Sequence, residues 1–235
     1  MGYLRASLCG ILLSLSMAQG AFAENSLHPD SAHLVDLTAD HWCHDCVVKV
    51  IDKYDVMNGF QDHTFRGDWT VNRYELAAAV VKTYTQLKQI YDLDLPDSDD
   101  PQREIDVLPD HWAYHYVRKL AQENGLLSMM FYNGKYEGEK TLTRKELAYS
   151  MGEFLGQMEV AMGHPLNTGM DRRQSELAVD HDLRSEYDPY IVKALNHYQF
   201  MNLHADHTFR PDAPVTRYDM AAAVCRVFEL FDLEH

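Results

Sequence analysis

The sequence predicts an all-α protein made of three helix–loop–helix repeats, and three observations predict it. First, a turn runs into the same helix-opening phrase three times. The stretches are Asp62-His63-Thr64-Phe65-Arg66-Gly67 before Val71-Asn72-Arg73-Tyr74-Glu75-Leu76-Ala77, Asn133-Gly134-Lys135-Tyr136-Glu137-Gly138 before Leu142-Thr143-Arg144-Lys145-Glu146-Leu147-Ala148, and Asp206-His207-Thr208-Phe209-Arg210-Pro211 before Val215-Thr216-Arg217-Tyr218-Asp219-Met220-Ala221. Second, each copy carries an Asp six or seven residues before a large aromatic: Asp36 and Trp42, Asp106 and Trp112, Asp180 and Tyr187. Third, apolar residues between these marks recur at helical spacing. Copies starting about 70 and about 74 residues apart make the chain an array of related units with unequal linkers.

The elements follow in order. Residues 1–23 have the order of a secretory signal peptide: Arg5, an apolar run from Leu8 through Leu15, then Ala21-Phe22-Ala23 before the expected cleavage. The run is too short to span a bilayer, so no membrane insertion is expected. A short segment, 24–35, leads into the first unit, 36–91. Val47, Val50, Ile51 and Tyr54 mark its first helix, and a second helix runs from about Tyr74 to Tyr91. An acidic linker, 92–105, breaks it after Tyr91; it lacks the Gly and distal Glu of an EF-hand loop and reads as solvated. The second unit, 106–162, offers Val117, Leu120 and Ala121 before the Asn124-Gly125 stop. A polar linker, 163–179, precedes the third unit, 180–235, in which Ile191, Leu195 and Tyr198 repeat the stripe.

The net charge of −15 becomes one unit more negative when Arg5 leaves with the signal. So acidic a chain, with no basic arm, is repelled by nucleic acid, and no nucleic-acid partner is expected. Cys43, Cys46 and Cys225 remain after the signal takes Cys9. They read first as small buried thiols, with a disulfide or a metal site as the alternatives. The haem attachment pattern needs His after the second Cys, where Val47 stands. No cofactor and no metal is expected.

The helix-opening phrase is a capping device. Thr143 stands three residues before Glu146, Thr216 three before Asp219, and Asn72 three before Glu75, so each cap and acid can satisfy the other's backbone N–H. The arginine inside the phrase has no such explanation. Arg73, Arg144 and Arg217 lie at the end of the helix dipole that disfavours a cation.

The complete phrase, Asp-x5-His-Trp, a helix, an Asp-x-x-Phe turn and Thr-Arg-x-Glu, resembles the S-layer homology domain. Asp106-Val107-Leu108-Pro109-Asp110-His111-Trp112-Ala113 and Thr143-Arg144-Lys145-Glu146-Leu147-Ala148 carry the resemblance best, and three copies cover about Asp36 to Leu230. The resemblance implies a pseudo-threefold, three-pronged spindle with a central helical bundle, whose grooves grip a cell-wall polysaccharide. That polymer is acidic or pyruvylated and linked to peptidoglycan. Carried over by motif position, the polysaccharide-binding residues would be Arg73, Arg144, Arg217, Trp42 and Trp112. Asp36, Asp106 and Asp180 would bind sugar hydroxyls or orient the arginines. Departures are Tyr187 for Trp, Asn72 for Thr, and His63 and His207 where the turn's Gly stands only as Gly134. These two histidines would either obstruct a groove or add a hydrogen bond.

The alternative for each arginine is a strut to the Asp of its own or a neighbouring unit, and for each Trp a core aromatic. At the level of function, the expectation is a secreted, non-catalytic protein of the cell envelope, wall-associated or periplasmic. The alternative is a protein-interaction or self-assembly module whose grooves hold an envelope partner chain. No catalytic residues are assigned: there is no Ser/His/Asp ordering, phosphate loop or His-Glu-x-x-His phrase. The thirteen histidines predict tighter binding of an acidic polymer as pH falls through about 6.5.

Overall fold

The computed structural model describes residues 30–100, 102–166 and 178–232; the signal segment and most of the second linker lie outside the described residues. Among the described residues the fold is helical, with only isolated β-bridges and no strand. Each unit has a short first helix and a long second one. The first helices are α1, His44–Val48, α3, Tyr114–Arg118, and α5, Asp188–Val192. Each continues into one wider π-helical turn, Lys49–Lys53, Lys119–Glu123 and Lys193–His197. The long helices are α2, Arg73–Tyr91, α4, Arg144–Met162, and α6, Arg217–Asp232.

The long helices begin where the caps say they should. The Asn72 side chain accepts from Glu75 N at 2.9 Å while Glu75 accepts from Asn72 N at 2.8 Å. Glu146 accepts from Thr143 N at 2.9 Å, and Asp219 from Thr216 N at 2.9 Å. Left-handed residues end α2 at Asp92 and α4 at Gly163, which lets the chain turn away without stranding the last carbonyls. The acidic linker is more than solvated chain. Leu95 is buried in the core, Asp94 pairs with Lys88 and accepts from Tyr84 Oη at 3.0 Å, and Ser98 N donates to the Glu123 carbonyl at 2.7 Å.

The units close on each other in a cycle. Val71 N donates to the Val215 carbonyl, Val215 N to that of Leu142, and Leu142 N to that of Val71, at 3.0, 2.9 and 2.9 Å. Around this triangle the first turn of each long helix meets the loop of the next unit. Tyr74 N donates to the Gly138 carbonyl, Lys145 N to that of Pro211, and Tyr218 N to that of Gly67. The glycines are needed there: a Cβ on Gly67 would lie 2.0 Å from the Tyr218 ring, and one on Gly138 1.9 Å from that of Tyr74. Each first helix packs on the long helix of the unit before it, α3 on α2, α5 on α4, and α1 on α6. Of the apolar stripes named from sequence, Val47, Val50, Val117, Leu120, Ile191 and Tyr198 are buried in this shared core, and Leu195 packs partly buried against it.

Candidate functional site

The repeated arginines tie each long helix to the loop of the next unit. Arg217 donates Nε to the Phe65 carbonyl and Nη2 to that of Asn58, both at 2.8 Å. Arg144 makes the same pair with Phe209 and Asn202, both at 2.7 Å. Arg73 reaches the Tyr136 carbonyl at 2.8 Å and pairs with Glu146. Such bonds from a charged donor outlast the unfavourable helix dipole, because the guanidinium meets carbonyls and leaves the first-turn N–H groups behind it. Arg144 and Arg217 are buried, and Arg73 is nearly so. Burial works against their charge: it lowers the pKa of Arg144 and pushes that of Arg217 down to about 10, which leaves both cationic at neutral pH.

The aspartates do not pair with these arginines. Each clasps the turn of its own unit through two backbone amides. Asp36 accepts from Phe65 N and Arg66 N, and Asp180 from Phe209 N and Arg210 N, all at 2.7 Å. Asp106 accepts from Tyr136 N at 2.7 Å and Glu137 N at 3.3 Å. The residue at the centre of each turn is therefore held twice, its N–H by the unit's own Asp and its carbonyl by the neighbour's Arg. His63 and His207 take the left-handed conformation, φ 60° and 61°, that Gly134 takes at 75°. Their carbonyls accept from Val35 N and Val179 N, so these histidines shape the turn through their backbone.

An open groove of about 160 Å³ runs along α6. Trp42 stands at one side, 66% exposed, and packs edge-on to Tyr218. Arg144 and Leu147 come from α4, Phe200 through His204 from the third unit's loop, and Asp219, Ala222 and Arg226 from α6 itself. The groove thus draws on all three units. Arg226 makes no hydrogen bond or ion pair with any described residue, and His204 Nε2 is likewise unpartnered. His204 has its pKa lowered by burial and by the nearby Arg144 and Arg210.

Of the equivalent positions on the other long helices, those of α4 differ in one decisive respect. Asp219, Ala222 and Arg226 are spaced i, i+3, i+7 and share a helix face. The same register gives Glu75, Ala78 and Lys82 on α2, beside Trp112, and Glu146, Tyr149 and Glu153 on α4, beside Tyr187. Where α6 leaves space at Ala222, Tyr149 fills it. The Tyr149 hydroxyl sits 3.1 Å from Ser128 Oγ and accepts from Met129 N at 3.2 Å, and its ring meets those of Tyr187 and Tyr190 edge-on. Glu153 accepts from Leu127 N at 2.9 Å, and burial raises its pKa.

The structure brings Trp42 and Arg144 together in one groove, with Trp112 and Tyr187 half-buried at the equivalent positions of the other units. Sequence reading missed Arg226, His204 and Asn202. Arg226 was visible as the single cation of α6 beyond its first residue, in line with Asp219 and Ala222. The loop residues carried no such signal. Among the described residues no group of His, Cys, Asp and Glu is placed to hold a metal ion, and no helix is long and apolar enough to cross a membrane. No protein-family model matches the chain, and neither does any curated protein.

Proposed function

We propose that the protein is a secreted, non-catalytic component of the cell envelope that binds an acidic cell-wall polysaccharide in the α6 groove. The observation that carries this reading is a groove lined by the exposed Trp42 and by Arg226, a cation with no hydrogen bond or ion pair to any described residue. A sugar ring stacks on an aromatic face through its C–H groups, while a carboxylate or ketal acid needs a cation with free donors. Arg226 has those donors; Arg144 has spent two of its own on the loop carbonyls, and so builds the floor of the groove more than it grips from it. The groove has room for one sugar ring, which suits recognition of a terminal or substituted residue of the polymer. The cyclic contacts between units also support the three-pronged arrangement that the S-layer homology resemblance implies.

The test is sedimentation with purified sacculi. Wild type is expected to co-sediment, and to stop doing so when the polymer is stripped chemically. Trp42→Ala and Arg226→Gln, each folded by circular dichroism, are expected to lose at least tenfold in affinity. Wild-type protein that stays in the supernatant would sink this reading and favour grooves that hold an envelope partner chain.

A further inference from the structure

The three cysteines meet where the first unit closes on the third. α1 and its π-helical continuation lie along α6 in a register set by four contacts. Cys43 Sγ is 3.4 Å from the Tyr218 carbonyl, Lys49 Nζ is 2.7 Å from Glu229 Oε1, Lys53 Nζ is 3.5 Å from Asp232 Oδ2, and the Tyr54 ring stacks on Phe228 at 3.8 Å. Cys46 falls between the first two contacts, and Cys225 lies one turn before Glu229. Cys225 Sγ and Lys49 Nζ both approach Glu229 Oε1, at 3.6 and 2.7 Å, and Cys46 stands one turn before Lys49 on the same helix face. All three are free thiols; Cys43 and Cys225 are buried and Cys46 is half-exposed.

We propose that Cys46 and Cys225 form a reversible disulfide that locks the first unit to the third. This is the one interface of the cycle whose two units no linker joins. Cys46 is the attacking thiol because it alone of the three reaches solvent. The neighbouring thiols of Cys225 and Cys43, with Lys49 and Arg226 nearby, hold its pKa below the ordinary thiol value, whereas Cys43 and Cys225 are raised. Cys225 is the better partner. The Cys43 S–H is engaged by the Tyr218 carbonyl at 3.4 Å, whereas the Cys225 sulfur stands across the interface beside Lys49, one turn from Cys46.

The oxidant is an external disulfide, either glutathione disulfide or a disulfide-exchange enzyme. The Cys46 thiolate attacks one of its sulfurs, forming a mixed disulfide and releasing one thiolate. Cys225 gives up its proton along its 3.6 Å contact to Glu229 Oε1, and its sulfur attacks Cys46 Sγ, releasing the second thiolate. Two protein thiols are oxidised and one external disulfide is reduced to two thiols.

The full chain is equilibrated with glutathione and glutathione disulfide at graded ratios, acid-quenched, alkylated and digested without reduction. The expected result is tryptic peptide 218–226, carrying Cys225, cross-linked to the peptide that carries Cys46. Cys43→Ser keeps the cross-link. Cys46→Ser loses it and leaves Cys225 alkylated. Oxidation should also raise the urea midpoint of wild type, an increase that dithiothreitol reverses and Cys46→Ser lacks. Should Cys46→Ser fail to fold, Cys225→Val serves instead, since Val81 fills the equivalent place in the first unit. Cys225 alkylated at every ratio, or a bond joining Cys43 to Cys46 or either to Cys9, overturns the proposal.

Discussion

Arg217, in the last unit, donates its Nε to the Phe65 carbonyl of the first unit at 2.8 Å, while the N–H of Phe65 is held by Asp36. The backbone of one residue therefore anchors both the turn of its own repeat and the closure of the whole ring. A lysine has no counterpart to this, because a single ammonium cannot span the Phe65 and Asn58 carbonyls in a fixed plane.

Arg217→Ala is expected to cost about 3–5 kcal/mol, since it removes two hydrogen bonds from a charged donor and strands two carbonyls. Arg217→Lys should recover less than half of that. Urea unfolding followed by circular dichroism measures both, and a loss under about 1 kcal/mol would refute the strut.

Gly67→Ala should destabilise by about 2–3 kcal/mol, because its methyl group would overlap the Tyr218 ring. Tyr218→Ala in the same chain should restore part of the loss, so the double-mutant cycle has a coupling energy of about 1 kcal/mol or more. Additive effects would mean that the ring moves aside freely.

Acid should loosen the third turn through Asp180. Burial pushes this carboxyl up, but the amides of Phe209 and Arg210 outweigh it and hold the pKa below the ordinary Asp value. A depressed folded-state pKa means that the stabilisation is complete above the unfolded pKa of about 3.9 and is lost as pH falls through the folded value. Asp180→Asn should therefore be less stable than wild type at neutral pH, with the gap closing in the most acidic range where folding persists. A gap independent of pH from 7 to 2, as about the widest range accessible, would show that the carboxylate's charge is immaterial.

Binding of an acidic polymer should strengthen as pH falls, with His204 responsible. The ligand favours the protonated ring, and the free protein's His204 titrates below the ordinary histidine value, so affinity should keep rising below pH of about 6.5. Surface plasmon resonance against immobilised wall polymer between mildly alkaline and mildly acidic pH tests this. His204→Gln should flatten the profile; an unchanged slope in that variant would assign the effect to other groups.

Much of the architecture was legible in the chain. The capping residues Asn72, Thr143 and Thr216 announce their helices because a cap acts within four residues of itself. The apolar stripes likewise declare which faces are inside. The arginines of the phrase were legible only as an anomaly. Their carbonyl partners lie in another unit, and no local rule pairs Arg144 with Asn202. The aspartates invited pairing with those arginines on charge alone, yet Asp36, Asp106 and Asp180 are taken by amides nearer to hand.

By itself the sequence determined that there are three units, that they are helical, and where each long helix starts, since these follow from repetition, periodicity and contacts a few residues long. Only the tertiary structure decided that the units close in a ring, that Trp42 and Arg226 from opposite ends of the chain share one groove, and that Tyr149 occupies the space Ala222 leaves open. Those outcomes depend on which side chains meet across unit boundaries. Such meetings are set by packing the units against one another, and nothing in the order of residues along the chain records them until that packing exists.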